Sequence, residues 1–407
     1  MKGIKIYQSI SELLTLHEAH NKDGRLLQES DLGIIKNGAV VVDDDTILWV
    51  GETKDIPWDQ YPTAVCFDYS GHVVTPELVD SHTHLVFAGS RSNEYVQRMQ
   101  GVSYQKIAEQ GGGILSTVKA TEKASDQELW DLAQERIERM YSLGVGTIEI
   151  KSGYGLSFAQ ETRLSRLIGR LKHHYAPWIQ IHNTFLAAHA IPTNQTAPSY
   201  MNTVVLPLLN ELHEESLIDS VDVFMEQGYF GEKESRQLFE AASKKRLSKK
   251  IHADEFSAMG ALDLAIEYKA LSADHLLEST AEGIKKLASS QTVATLLPGT
   301  SLFLAKKLAS ARTFLDQGAK VAIASDYNPG SCHWDQFLLL ASMSIPLYKL
   351  NLCEFWCAIT LNAAHALGLR QQGAIKKGLK ARLSFFKTSS LNDLPYSWGK
   401  NFATHPY

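Results

Sequence analysis

Cysteine is scarce in this chain: Cys66, Cys332, Cys353 and Cys357 are the only four in 407 residues. Cys353 and Cys357 stand four apart in a helix-like stretch without a second pair, so no disulfide framework or zinc-finger spacing is present and a reducing compartment is the simpler reading. An excess of basic charge is also missing. Lys and Arg total 40 against 45 Asp and Glu, a formal charge of −5 with a pI near 6.3, which gives no electrostatic ground for binding nucleic acid. The longest apolar runs, Thr203–Leu209 and Phe337–Tyr348, fall short of the ~20 residues a membrane span needs. The first ten residues lack an apolar h-region followed by a small-residue cleavage site. No internal repeat is visible. What remains, 44% hydrophobic and 21% charged residues, is an ordinary globular composition. The expectation is a soluble, cytoplasmic protein whose partner is a small molecule, with no nucleic acid and no membrane.

Residues 1–72 alternate short β-like runs, such as Gly38–Asp43 and Thr46–Gly51, with Asp and Gly turn signals. From Val73 to about Gly368 the pattern changes to apolar runs of strand length separated by segments of helical period, the pattern of a parallel sheet with crossover helices. In one such unit Ser125-Asp-Gln-Glu128 is a capping box, Leu129, Leu132, Ala133, Ile137 and Met140 make one apolar face, and Gly144 stops the helix. The strand candidates are Val73–Val79, Gly146–Ile150, Ile179–Leu186, Val221–Met225, Lys250–Ala253, Leu271–Asp274, Val293–Leu297 and Val321–Ser325. Eight such strands predict a closed, TIM-like (β/α)8 barrel of the α/β class, with its chemistry on the loops after the strand ends. An open doubly wound sheet is the alternative, but no Gly-rich dinucleotide fingerprint follows the first strand. After Gly368 the β-like alternation returns at Gly373–Phe386. The chain therefore reads as a barrel over 73–368 and a small discontinuous β-sandwich domain from 1–72 and 369–407.

At the eight strand ends stand His82 with His84, Lys151, His189, Glu226, His252, His275, Leu297-Pro298 and Asp326. Residues two apart in an extended chain point the same way, so His82 and His84 can present both imidazoles to one centre. With His252 and Asp326 they form a donor set suited to a borderline ion such as Zn2+ or Fe2+. Asp326, in Asp-Tyr-Asn-Pro-Gly, is also good turn chemistry, and the two roles are compatible. His275 and Glu255 are candidates for proton transfer; a core histidine and a solvated loop glutamate are their plainer readings. Lys151 could be a carbamate bridge between two metals or a buried cation paired with Glu149 or Asp80; the single-metal reading is preferred because the donor set is complete without it. Arg91 could hold a substrate carboxylate by a two-point contact or simply lie at the surface. Tyr154 lies on a Gly-flanked loop that could let backbone approach a ligand or merely turn. The basic run Lys244–Lys250 reads as a solvated helix end. His173, His174 and His182 are given no site role, and Cys353 and Cys357 read as core.

The motif Val79-Asp-Ser-His-Thr-His84 after a β unit, followed by His252, His275 and Asp326, resembles the metal-dependent amidohydrolase superfamily. Within it, Leu85–Arg91, Gly111–Thr117, Glu149–Gly155, Thr184–His189, His252–Glu255 and Ser325–Ser331 are similar, in order, to the imidazolonepropionase family. That resemblance implies hydrolytic opening of the ring of 4-imidazolone-5-propanoate to N-formimidoyl-L-glutamate, a step of histidine degradation, with a metal-activated water. It also implies that His82, His84, His252 and Asp326 hold one Zn2+ or Fe3+ ion. Arg91, Tyr154, His189, Glu255, Asn328, Gly330 and Ser331 would contact substrate or product, with His275 near the water and Lys151 outside the ligand set. Glu255, His275 and Asp326 would be the catalytic groups, and a homodimer is a further expectation of the family. Two departures stand out: Glu77 follows Pro76 where the superfamily often has Gly, and Arg382 stands where it commonly has Asp. Rival functions are deamination of an aminoimidazole or nucleobase by the same ligands, and a non-catalytic scaffold that kept the barrel.

Overall fold

A computed structural model describes residues 3–102, 106–107 and 111–405. In chain order its strands are β1 (Ile4–Leu14), β2 (Ile34–Asp43), β3 (Thr46–Glu52), β4 (Val65–Asp68), β5 (Val73–Pro76), β6 (Leu78–Asp80), β7 (Val145–Lys151) and β8 (Gln180–Ala188). They continue with β9 (Ser220–Val223), β10 (Ser248–Ala253), β11 (Ser272–His275), β12 (Val293–Leu296), β13 (Val321–Ile323), β14 (Leu383–Phe386) and β15 (Ala403–Thr404). Strands β6 to β13 form the expected barrel sheet, each strand pairing parallel with the next in sequence. It is closed just beyond the strand ends by a parallel bridge from Thr83 to Tyr327. There the His84 N–H donates to Tyr327 O at 2.9 Å and the Asp326 N–H to His82 O at 3.0 Å.

The crossover helices form for local reasons legible in the sequence. In the helix Asp126–Ser142 the Ser125 hydroxyl accepts the Glu128 N–H and the Glu128 carboxylate accepts the Ser125 N–H, while Leu129, Ala133, Ile137 and Met140 are buried. Gly144, at φ 95°, turns the chain into β7 in a conformation that a β-carbon disfavours.

Strands from both ends of the chain make one seven-stranded mixed sheet, ordered β15-β14-β5-β1-β2-β3 with β4 also on β1. Both its faces are apolar. Val40 and Val42 pack with Tyr7, Ile10, Leu13 and Phe385 on one side, while Ala39 and Val41 pack with Ile6 and Ile56 on the other. A register shift in β1 between Tyr7 and Ile10, with Ser9 at φ 57°, hands the strand's free edge from β4 to β5. Met1, Lys2, Pro406 and Tyr407, at the ends of the β unit expected from 1–72 and 369–407, lie outside the described residues.

Two expectations need correction. The run Val73–Val79 is not one barrel strand: Val73–Pro76 pairs with β1 and β14 in the terminal sheet, and only Leu78–Asp80 enters the barrel beside β7. All eight residues of 73–80 are buried, so no alternation marks the division, and Pro76 has no N–H with which to extend the ladder. The basic run 244–250 is not wholly a solvated helix end. Its helix stops at Lys244, and the strand that follows turns Lys250 into the barrel, where its Nζ donates to Ser81 O at 2.7 Å. Among the described residues no helix is long and apolar enough to cross a membrane.

The two departures from the superfamily pattern meet in space. Arg382 clasps Glu77 with both arms, Nη2 at 2.9 Å from Oε2 and Nε at 3.1 Å from Oε1, and also donates to Gly146 O at 3.0 Å. The Thr147 hydroxyl adds a 2.5 Å bond to Glu77. A β-carbon at Gly146 would lie 2.2 Å from Glu77 Oε2, so the residue that admits the carboxylate has to be glycine. Burial pushes the Glu77 carboxyl above its ordinary pKa and the guanidinium opposes that shift. The pair thus pins the terminal sheet to the first two barrel strands. Arg382→Ala leaves a buried carboxylate unpaired and is expected to destabilise the protein by about 3 kcal/mol in urea unfolding, since breaking a buried pair from one side is costly. A change within 0.5 kcal/mol, the ordinary range of surface substitutions, would show that the pin carries no load.

Candidate metal centre and substrate pocket

The loops at the C-terminal ends of the barrel strands converge on one cavity of about 610 Å3. Thr83 faces away from it, pairing with Tyr327 and donating its hydroxyl to Glu149 O at 2.5 Å, so His82 and His84 on either side face inward together. His82 Nε2 is 3.3 Å from His84 Nε2, which is 3.4 Å from His252 Nε2. Asp326 Oδ1 lies 3.5 Å from Nε2 of both His82 and His84. Donors at about 2.1 Å from a tetrahedral zinc ion stand about 3.4 Å from one another, so these spacings fit a single ion. The cluster His82, His84 and His252 is wholly buried.

Each donor is held from behind. His82 Nδ1 is bonded to Asp274 Oδ2 at 2.6 Å and His252 Nδ1 to Asp222 Oδ1 at 3.2 Å, which turns both Nε2 atoms to the centre. The His84 ring stacks on His189 with centroids 4.9 Å apart. Asp326, at φ 52°, accepts the Thr300 hydroxyl on Oδ2 at 2.5 Å and so presents Oδ1. Burial holds His82 and His84 well below the ordinary imidazole pKa and raises the Asp326 carboxyl to about 6. His82 and His84 are therefore neutral, as ligation requires.

Beside these donors His275 Nε2 lies 3.6 Å from Glu255 Oε2. Burial, reinforced by Asp326, raises the Glu255 carboxyl well above its usual range, and burial lowers His275. A carboxyl raised by burial next to an imidazole lowered by it is suited to passing on a proton. Both residues are buried, so the plain loop reading of Glu255 does not hold.

Arg91, Tyr154, His189, Asn328, Gly330 and Ser331 all line the same cavity, with His84, His252, Glu255, His275 and Asp326; His82 lies beneath its floor. Arg91 is braced by Glu94 at 2.8 Å and passes so close to Gly330 that a β-carbon there would fall 1.8 Å from Nη1. The Asn328 side chain accepts the Gly330 and Ser331 N–H groups at 2.8 and 2.7 Å and so shapes the loop. His189 Nδ1 bonds Gly153 O at 3.2 Å, and burial takes its pKa down to about 3.

Of the strand-end residues outside this set, Glu226 accepts the Phe256 and Ser257 N–H groups at 2.9 and 3.1 Å and thereby fixes the loop that carries Glu255. Lys151 is a buried cation, paired with Glu149 as one reading had it and with Asp222 rather than Asp80. Asp80 instead accepts the Ser325 N–H at 3.0 Å. Sequence reasoning passed over Asp222 and Asp274, whose one signal was a charge inside an apolar parallel strand. It also passed over Arg98, which lines the cavity and donates to Gly330 O at 3.1 Å.

A profile described as "Amidohydrolase family" matches residues 226–404. The imidazolonepropionase of Bacillus cytotoxicus is 41% identical over 396 residues, covering 96% of this chain and 92% of its own, and that of Alkaliphilus oremlandii is 38% identical over 97% and 94%. The chain belongs to the imidazolonepropionase family. Among solved structures, a triazine hydrolase variant superposes with a TM-score of 0.75 at 13% identity over 98% of this chain and 92% of its own. An adenosine deaminase from Xanthomonas campestris with bound zinc gives 0.71 at 15% over 98% and 90%. At such identities these two speak for the fold alone. As an imidazolonepropionase-family amidohydrolase, the protein is a metal-dependent hydrolase whose buried histidine cluster suits the ion.

His182 has no place among the donors, yet it is buried in the barrel against Ser220 Oγ at 3.0 Å, and burial lowers its pKa to about 4. The unfolded chain takes up that proton near pH 6.5 and the folded chain refuses it until about 4. Its contribution to stability is complete above pH 6.5 and is lost as pH falls through this window, by roughly 3 kcal/mol. In His182→Gln the acid limb of the stability profile of the apoprotein should flatten by that amount; an unaltered limb would contradict the neutral assignment.

Proposed function

We propose that this site hydrolyses 4-imidazolone-5-propanoate to N-formimidoyl-L-glutamate, with His82, His84, His252 and Asp326 holding one Zn2+ or Fe3+ ion. The observation that carries the reading is the run of donor atoms from His252 through His84 and His82 to Asp326, successive members 3.3 to 3.5 Å apart, at the base of a pocket whose wall carries Arg91. When bound, such an ion supplies a Lewis acid and a water acidic enough to be deprotonated near neutral pH.

The residues divide the remaining work. Arg91, braced by Glu94, holds the propanoate carboxylate by two parallel hydrogen bonds. Tyr154 and His189, whose rings lie 5.5 Å apart, flank the imidazolone ring, and the loop carrying Asn328, Gly330 and Ser331 closes the carboxylate end. Asp326 accepts a proton from the attacking water as its oxygen adds to the ring carbonyl carbon. His275 donates a hydrogen bond to the oxyanion that develops there. Glu255, whose carboxyl burial raises well above the usual range, gives a proton to the ring nitrogen as the C–N bond breaks and recovers the one that Asp326 accepted. The former carbonyl carbon becomes the new carboxylate, still bonded to its ring carbon, and the departing nitrogen stays in the formimidoyl group, so no ammonia is released. Free cysteines, Cys66 among them at the surface, suit a cytoplasmic setting.

The test is a spectrophotometric assay of the metal-loaded protein with formimidoylglutamate and ammonia both quantified. Formimidoylglutamate without ammonia is expected; ammonia in proportion to ring loss would transfer the site to a deaminase. Arg91→Ala should raise KM by roughly 30- to 150-fold while kcat changes far less, because a lost charge-assisted pair is worth about 2 to 3 kcal/mol. An unchanged KM would remove Arg91 from the carboxylate.

A further inference from the structure

Below the metal donors five charged side chains are sealed inside the barrel with no solvent exposure: Lys151, Lys250, Glu149, Asp222 and Asp274. The hydrolysis uses none of them directly. Lys151 Nζ lies 2.6 Å from Asp222 Oδ2 and 2.9 Å from Glu149 Oε2. Lys250 Nζ lies 3.1 Å from the same glutamate oxygen and 2.7 Å from Ser81 O. Both ammonium groups also face Asp274 Oδ2, at 3.8 and 3.7 Å. The aspartates then reach upward, Asp222 to His252 Nδ1 at 3.2 Å and Asp274 to His82 Nδ1 at 2.6 Å.

This arrangement is a poor device for stability alone, because buried ion pairs rarely outperform well-packed apolar side chains. Its geometry has a different result. Asp222 is gripped from below by the Lys151 ammonium, Asp274 is faced by both ammonium groups at 3.7 and 3.8 Å, and each of these two aspartates aims an oxygen at the rear nitrogen of a metal-facing imidazole. Without the two lysines, three buried carboxylates would crowd beneath Asp326, and nothing would fix which oxygen faces which ring. The remaining histidine obeys a different rule. His84 Nδ1 has no hydrogen-bond partner among the described residues, and that ring is held by its stack on His189.

We infer that Lys151 and Lys250 are positioning residues of the metal centre, acting through Asp222 and Asp274 to fix the orientation of His252 and His82. The inference rests on the reading of His82, His84, His252 and Asp326 as metal ligands. Partners of ligating histidines are worth about 10- to 100-fold in metal affinity; Lys151 acts one hydrogen bond further out through Asp222, and Lys250 through its charge facing Asp274 at 3.7 Å.

The experiment uses the full chain. Zn2+ affinity is measured by competition with a chromophoric chelator, coordination geometry by the visible spectrum of the Co2+-loaded protein, and folding by thermal melting of the apoprotein. Wild type should bind one ion; if it binds none, the ligand assignment itself fails, and that failure is read before any variant is compared. Lys151→Met and Lys250→Met, close in length and uncharged, are each expected to weaken Zn2+ binding by tenfold or more and to shift the Co2+ spectrum. Affinity and spectrum within twofold of wild type, whatever the melting temperature, would overturn the inference. If Lys151→Met does not fold, Asp222→Asn is compared with Asp222→Asn/Lys151→Met, in which the charge is removed as a pair. Equal affinities for these two place Lys151 on the path through Asp222; a further tenfold loss in the double variant overturns that path.

Discussion

The hydrogen bonds that close the barrel also set the spacing of its metal donors. Two of the four come from the segment after β6 and one from the segment after β13, more than 240 residues later in the chain. They meet because the backbone between them is stitched: the His84 N–H to Tyr327 O, the Asp326 N–H to His82 O, and the Ser325 N–H to the Asp80 carboxylate. A barrel that failed to close here would leave His82 and His84 without Asp326. Closure in turn needs every strand between to hold its register, so the site depends on the whole sheet rather than on a local motif.

That dependence explains why so much of the protein was legible before its structure and why some was not. The seven barrel strands after the first were found within two residues at each end, because parallel strands buried on both faces read as short apolar runs bounded by turns and helices. The first was misjudged for the same reason. Burial on both faces erases alternation, and nothing in 73–80 tells where the chain leaves one sheet for the other. Ionisable residues at strand ends pointed to the site because a barrel gathers those ends in one place. The carboxylates behind the histidines were missed because Asp222 and Asp274 sit within strands, where their partners are fixed only by neighbours distant in sequence. Lys250 was misread for a related reason, since a run of cations between a helix and a strand does not reveal that its last member faces inward.

The same physics recurs at the other end of the barrel. Glu77 and Arg382 looked like two unrelated departures in the sequence, yet they are one bidentate pair joining the terminal sheet to the barrel. In both places a charge is carried into low dielectric only together with its partner, and the partner comes from a different element. Polar pairs of this kind specify which elements meet, a task that apolar packing performs less selectively.

X-ray absorption at the metal edge of the zinc-loaded protein tests the central claim, a single ion held by His82, His84, His252 and Asp326, most directly. It should report one ion per chain whose nearest neighbours include three imidazoles and a carboxylate oxygen at about 2.0 to 2.2 Å. A second metal at roughly 3.5 to 4 Å, the signature of a two-metal site, or fewer than three imidazoles would contradict it.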